Sequence, residues 1–262
     1  MSAQKTYVLT GAYSGIGAAT ARLLTSHGHA VVGIDIKQPD YPLAAFHRCD
    51  LSDPASIDAT VAQLAGRYAG LLNIAGVPAA YGDDVTMKVN ILGLRRFTEG
   101  VWDRIEDRGT VVSVSSLAGN NWKKRRVELD QLLAIDDFEQ AMEWWRLNKA
   151  VLNVDAYVAS KEAVVLYTMK LAERGLARGI NVNSVGPGPV ETPLLPTFTQ
   201  DTGEEAMNRF IQMIGRSAQP EEIAETIVVL AERKMGWVNA VHLNVDGGLT
   251  AGLSLRWKAR AV

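Results

Sequence analysis

A tyrosine and a lysine four residues apart, Tyr157 and Lys161 in the stretch DAYVASKEA from Asp155 to Ala163, are the pair in this chain best suited to chemistry. On a helix that spacing puts both side chains on one face. A tyrosine ordinarily loses its proton near pH ~10 and is a poor base at neutrality. A lysine ammonium beside it favours the phenolate, and the phenol then becomes a usable acid or base for moving a proton on or off an alcohol oxygen. Such pairs are common on ordinary helices, so the meaning rests on the elements that position this one.

Thr6 to Thr10 is a short β-rich run, followed by Gly11, Gly15 and Gly17 and then by a helical pattern through Ala18, Ala21, Leu24 and Thr25. Strand, glycine turn and helix form the context of a dinucleotide site, because the glycines permit a tight turn and let a pyrophosphate approach the helix N-terminus. The spacing is G-x-x-x-G-x-G rather than the commoner G-x-G-x-x-G, and alone it reads equally as a phosphate loop or a simple turn. His29 to Ile34 reads as a second strand running into Asp35. A carboxylate there, about 20 residues past the glycines, accepts hydrogen bonds from ribose hydroxyls and repels a 2′-phosphate. This favours NAD over NADP, with Lys37 near enough to soften the preference.

Ala44 to Cys49 is a third predicted strand. Asp50 at its end faces the ligand crevice and can reach an adenine amino group, while Ser52 or Asp53 can cap the helix that starts at Pro54. Gly70 to Ala75 is a fourth strand, closing on small residues that let a flat ring lie against the backbone. A helical pattern from Asp83 to about Glu106 carries Asn90 three residues before Gly93; both are poor in a helix interior and predict a local kink. Gly109 to Ser116 is a fifth strand that delivers hydroxyls at its end. A sixth strand (Ile180 to Val185), a flexible-looking segment (Leu194 to Arg216), a helix (Pro220 to Ala231) and a last strand (Val241 to Val245) complete the pattern. The tail from Arg256 to Val262 gives no reading.

The 262 residues, 47% hydrophobic and 21% charged, suffice for one α/β domain. A net charge of −2 provides no basic field for nucleic acid. Cys49, the single cysteine, excludes an internal disulfide and reads as a buried thiol; with four scattered histidines it offers no metal cluster. No apolar run reaches the length of a membrane span, and MSAQKTYVLTGAYSG leads straight into a strand, so a cytoplasmic protein is expected.

Together TGAYSGIG (Thr10 to Gly17), Asp35, Asp50, NIAG (Asn73 to Gly76), Asn90, Ser115-Ser116, YVASK (Tyr157 to Lys161) and GPGPVETP (Gly186 to Pro193) resemble the short-chain dehydrogenase/reductase family along nearly the whole chain. The resemblance implies a doubly wound (Rossmann) α/β fold, a parallel seven-stranded sheet with helices on both faces. It makes Tyr157 the general acid/base, Lys161 its electrostatic partner and ribose ligand, Ser116 the group that positions the substrate oxygen, and Asn90 the holder of a water linking Lys161 to bulk. It assigns NAD binding to Gly11, Tyr13, Ser14, Gly15, Ile16, Gly17, Asp35, Asp50, Leu51, Asn73, Ala75 and Gly76. Pro187, Gly188, Val190 and Thr192 are added along the nicotinamide ring. Ile74 and Gly186 depart from the usual Asn and Ala.

A longer departure is an insertion of about Asn120 to Asn153 between Ser116 and Tyr157. It opens on a basic run, Lys123 to Arg126, which reads as a solvated face or as a site for an anionic substrate group. Phe138, Ala141, Met142 and Trp145 then share a helix face that wants burial, as a substrate lid, as a cover for the neighbouring helix or as a subunit contact. Such an insertion, with NIAGVP, VNILGL and VNAVHLNVDGGL, resembles bacterial branches of the family that act on hydroxysteroids and on coniferyl-type aryl alcohols. The expectation is an NAD-dependent oxidoreductase of a hydrophobic or aromatic alcohol or carbonyl, a homodimer or homotetramer, with a hydroxysteroid or sugar alcohol as the runner-up substrate. A nucleotide sensor that had lost the chemistry is the alternative outside the class, and it has no need of Asn90, Ser116, Tyr157 and Lys161 together.

Overall fold

Residues 4–257 are described by the structure, a computed structural model. Most of the Arg256–Val262 tail and the first three residues lie outside that range.

The chain alternates strands and helices: β1 (Thr6–Thr10), α1 (Gly15–Ser26), β2 (Ala30–Asp35), β3 (Ala45–Arg48), α2 (Pro54–Gln63) and β4 (Tyr68–Asn73) form the first half-sheet. A broken helix follows, α3 (Asp83–Met87), a π-helical turn (Lys88–Gly93) and α4 (Leu94–Val101), leading to β5 (Ile105–Val114). Then come a 3₁₀ stretch (Leu117–Arg125), α5 (Arg126–Leu133), α6 (Phe138–Leu152), α7 (Ala156–Gly175) and β6 (Asn181–Pro187). The order ends with α8 (Leu195–Thr202), α9 (Glu204–Ile214), α10 (Pro220–Ala231), β7 (His242–Val245) and α11 (Leu249–Leu255).

The seven strands make one parallel sheet in the order β3-β2-β1-β4-β5-β6-β7. β4 and β6 are buried throughout, as expected for parallel strands covered on both faces. Two apolar clusters flank the sheet. One gathers α4, α5, α6 and α7, with Phe97, Leu132, Trp145 and Val164; the other gathers α1 and α10, with Ala21, Leu24, Ile227 and Leu230. The strand order reverses between β1 and β4, so the strand ends on either side of that gap splay apart and open the crevice where doubly wound sheets hold ligands.

The predicted helix from Asp83 to about Glu106 carries the local break expected around Asn90 and Gly93 and is corrected at its end. Asn90 sits in the π turn, and Gly93 is there because a Cβ would lie 2.0 Å from the Leu51 carbonyl oxygen. The helical pattern stops at Arg104, and Glu106 already belongs to β5. No Gly, Pro or Asn marks that border, so periodicity overran it. The segment 194–216, expected to be loop-like, is two helices hinged at Gly203, whose φ of +87° suits a residue without a side chain.

Candidate active site

The carboxyl ends of β1, β2, β4, β5 and β6 open into a cavity of about 1170 Å³. At one end lies the glycine turn. A Cβ on Gly17 would lie 1.9 Å from the Gly11 carbonyl oxygen, and one on Gly11 would lie 2.8 Å from the Ala75 nitrogen, so both closures require glycine. Ser14 at the N-cap of α1 makes no side-chain capping bond, and the first turn holds no acidic residue. The first-turn N–H groups of α1 and its dipole are therefore left for an anion, the arrangement a pyrophosphate needs. Asp35 stands beside this turn, its Oδ2 accepting from Tyr13 N–H at 2.9 Å and its Oδ1 from Lys37 N–H at 3.1 Å. The Lys37 ammonium stacks over the Tyr13 ring at 5.4 Å.

Of the residues singled out by sequence, Gly11, Tyr13, Ser14, Gly15, Ile16, Gly17, Asp35, Asp50, Leu51, Ala75, Gly76, Ser116, Tyr157, Lys161, Pro187, Gly188, Val190 and Thr192 line this one cavity. Asp50 also accepts from Ser52 N–H and Oγ–H, while Asp53 caps α2 through Ala55 N–H, as the capping reading of that corner expected. Two residues are not on the wall. Asn73 is buried away from the cavity, its Nδ2 donating to Thr98 Oγ1 at 2.9 Å, because side chains alternate along a strand and the neighbouring Ile74 takes the cavity-facing position. Asn90 lies behind the wall: its Oδ1 accepts from Val77 N–H at 2.8 Å, and its Nδ2 donates to Val77 C=O at 2.9 Å and Ser160 Oγ at 3.2 Å. Ser160 in turn donates to the Tyr157 carbonyl. The Asn90 side chain thus braces the wall and the catalytic helix from behind.

Lys161 is held from both ends. Its Nζ donates to the Val114 carbonyl at 3.1 Å, and its own carbonyl accepts from Ser115 Oγ at 2.7 Å. Gly76 keeps room for it, since a Cβ there would come within 3.1 Å of Nζ. The ammonium lies 5.7 Å from the Tyr157 ring centroid. Burial lowers Lys161 to about 8, and burial raises Tyr157 to about 12, with Asp155 and Asp201 adding to the rise and the Ser116 hydroxyl opposing it. Burial thus sets the direction at Tyr157, against the lowering expected from Lys161. Desolvation outweighs the ammonium, which is directed at a backbone carbonyl, and Ser116 is the group that favours the phenolate.

The insertion does not overhang the cavity. Phe138, Ala141, Met142 and Trp145 are all buried as expected, but in the same apolar cluster as α7, and no α6 residue reaches the cavity wall. The cover reading holds, and the lid reading falls. In the basic run, Arg125 forms a two-pronged pair with the fully buried Glu162, at 2.6 and 2.5 Å, one residue after Lys161. None of Lys123 to Arg126 lines the cavity, so the run serves no anionic substrate group there.

On the wall opposite the glycine turn, formed by the 194–216 segment, sequence reading did not single out Phe198 or Asp201. Phe198 meets Tyr157 edge to face at 5.3 Å between centroids, and Asp201 accepts from Ala80 N–H at 3.1 Å, tying α8 to the opposite wall. Leu195, Phe198, Asp201 and Thr202 share a face of α8 at helical spacing, a signal present in the sequence once that segment is taken as a helix. Further along the same segment, Met207 and Phe210 reach the cavity, whereas Met213 packs against Gly252 of α11 and Gly203 is the hinge. The departure at Gly186 also finds its cause: a Cβ would meet the His242 ring at 2.7 Å.

Comparison with known proteins agrees with this geometry. A family model described as short chain dehydrogenase matches residues 5–127, and one described as enoyl-(acyl carrier protein) reductase matches residues 142–250. The chain is 37% identical over 248 residues to a coniferyl-alcohol dehydrogenase of Pseudomonas sp. (strain HR199 / DSM 7063), covering 94% of this chain and 97% of that one. It is 32% identical to a cis-4-hydroxycyclohexanecarboxylate dehydrogenase of Sinomonas cyclohexanicum, covering 95% and 98%. The crystal structure of a 3-alpha-hydroxysteroid dehydrogenase from Pseudomonas sp. B-0831 complexed with NADH superimposes with a TM-score of 0.79 at 30% identity, covering 97% and 99%. With 37% identity over nearly the full length of both chains to one dehydrogenase of the family and the same fold in another, the chain belongs to the short-chain dehydrogenase/reductase family of nicotinamide-dependent oxidoreductases.

Proposed function

We propose that the protein is an NAD-dependent dehydrogenase of a hydrophobic, aromatic alcohol, with Tyr157 as its general acid/base. The observation that carries the reading is the placement of Tyr157 and Ser116 in one cavity between the glycine turn and an apolar wall of Val77, Val85, Leu194, Phe198 and Phe210. NAD, when bound, supplies the acceptor for the hydride that leaves the carbinol carbon. Gly11 to Gly17 hold its pyrophosphate at the N-terminus of α1, and Asp35 takes the ribose hydroxyls, where a 2′-phosphate would meet a carboxylate. Asp50 faces the adenine, and Gly188, Val190 and Thr192 face the nicotinamide.

Ser116 donates to or accepts from the substrate oxygen and steadies the phenolate of Tyr157. Tyr157 takes the hydroxyl proton in oxidation and returns it in reduction. Lys161 supplies positive charge near the ring and reaches the ribose; its proton exchange with bulk runs past the Asn90 backbone, since the Asn90 side chain is committed to Val77 and Ser160. The protein works in the cytoplasm as a homodimer or homotetramer. The two curated relatives differ in substrate charge, one being named for an alcohol without a charged group and the other for a carboxylate; the apolar wall favours the first. Following absorbance of the reduced nicotinamide with a panel of aryl, steroid and sugar alcohols, with NAD and with NADP, tests the reading. Turnover of aryl alcohols with NAD is expected, and cofactor binding without turnover of any alcohol would overturn it in favour of a nucleotide sensor.

A further inference from the structure

The exposed charges near Tyr157 are acidic. Asp201 on α8 and Asp155 at the start of α7 both lie on the cavity wall, and both carboxylates act on the Tyr157 phenol. The only cations on the wall among the described residues are Lys161, which is buried with its Nζ donating to the Val114 carbonyl, and Lys37, beyond the glycine turn beside Asp35. In the basic run that opens the insertion, Arg125 is paired with Glu162, and none of its four cations lies on the cavity wall. Each Asp is also fixed in place: Asp201 by Ala80 N–H across the cavity mouth, and Asp155 by capping Val158 N–H at 2.8 Å. Neither can swing away when an anion enters without losing a backbone partner.

From this arrangement we infer that Asp201, aided by Asp155, is a specificity-determining residue that excludes substrates bearing a carboxylate near the reacting carbinol, so that the enzyme selects uncharged aryl alcohols. The inference rests on the dehydrogenase reading above and refines its substrate class. The physical basis is plain: an anion entering here gives up hydration against the apolar wall, meets two like charges at the exposed mouth, and finds on that side only the buried Lys161 as a counter-charge. An uncharged alcohol of the same shape loses only the polar hydration that Ser116 and Tyr157 replace.

A matched pair of probes isolates charge from shape: methyl 4-(hydroxymethyl)benzoate, which is neutral, and 4-(hydroxymethyl)benzoate, which is ionised at neutral pH. With NAD present, the wild-type protein is expected to favour the ester over the acid by about tenfold or more in kcat/KM. Asp201→Asn keeps an oxygen that can accept from Ala80 N–H, and should shrink that preference roughly fivefold; Asp155→Asn combined with it should shrink the preference further. Raising ionic strength should narrow the wild-type preference and leave that of the double variant nearly flat, a response that a purely steric filter would not give. Calorimetric binding of the two probes to the NAD-loaded protein reads the same preference without turnover. Equal treatment of the two probes by the wild type, or an undiminished preference in the double variant, overturns the inference. Charge discrimination in binding with no oxidation of either probe would sustain it while removing the dehydrogenase reading on which it was built.

Discussion

The insertion, which could have been a lid, and the flexible-looking 194–216 segment have opposite fates. The insertion buries Leu129, Leu132, Phe138, Met142 and Trp145 in the apolar cluster beneath α7, and ties itself down with the Arg125–Glu162 pair. Its outer face reaches α3 through Arg146–Asp84 and Lys149–Asp83. The 194–216 segment buries only Met207 and turns Leu195, Phe198, Asp201 and Phe210 toward the cavity. An apolar helix face announces burial but not the surface it will meet. A weakly buried pair of helices beside the nicotinamide-facing loop is the part able to adapt to a substrate.

That contrast predicts that damage to the insertion is read out as stability and damage to 194–216 as substrate recognition. The largest effect should come from Trp145→Ala, which empties a fully buried site and should cost about 3–5 kcal/mol in denaturant unfolding, while KM of the folded fraction stays near wild type. Trp145→Phe should cost far less, because the Trp145 Nε1–H is buried without a partner. Glu162→Gln leaves Arg125 poorly matched at a mostly buried position and should cost about 3 kcal/mol, with Arg125→Lys milder. Because Glu162 adjoins Lys161, this variant should also lower kcat, and a change in KM alone would count against the coupling. Phe198→Ala should lower kcat/KM for aryl alcohols about tenfold, roughly 1.4 kcal/mol, with the unfolding midpoint nearly unchanged. Loss of stability in Phe198→Ala comparable to that in Trp145→Ala would erase the distinction between the two regions.

The cofactor half of the molecule was legible in the sequence because its constraints are local. Gly11, Gly17 and Gly93 are demanded by backbone contacts that no other residue permits, and Asp35 falls at a strand end fixed by the β1-α1-β2 unit. Asn73 was misplaced because a motif gives a position along a strand and the alternation of side chains decides the face. The substrate half was illegible for a different reason. Phe198, Asp201 and Ala80 are brought together by tertiary packing across the cavity mouth, and each is unremarkable in its own stretch of sequence. The electrostatics were likewise invisible at that level: spacing put Lys161 beside Tyr157, but burial sets the direction of both shifts, and the Val114 carbonyl claims the ammonium.

The central claim is that the Tyr157 phenol carries the proton. Oxidation needs the phenol deprotonated, and in the protein without ligand its pKa is raised to about 12, so the oxidation rate should climb with pH up to the value that the bound state imposes. Ser116→Ala removes the neighbour that favours the phenolate and should move this limb to higher pH. The most direct measurement is the pH profile of aryl-alcohol oxidation by Tyr157→Phe beside the wild type. A kcat lower by about 10³, with the alkaline rise gone and NAD still bound, is the expected result; a variant that keeps both the wild-type rate and its alkaline limb would contradict the claim.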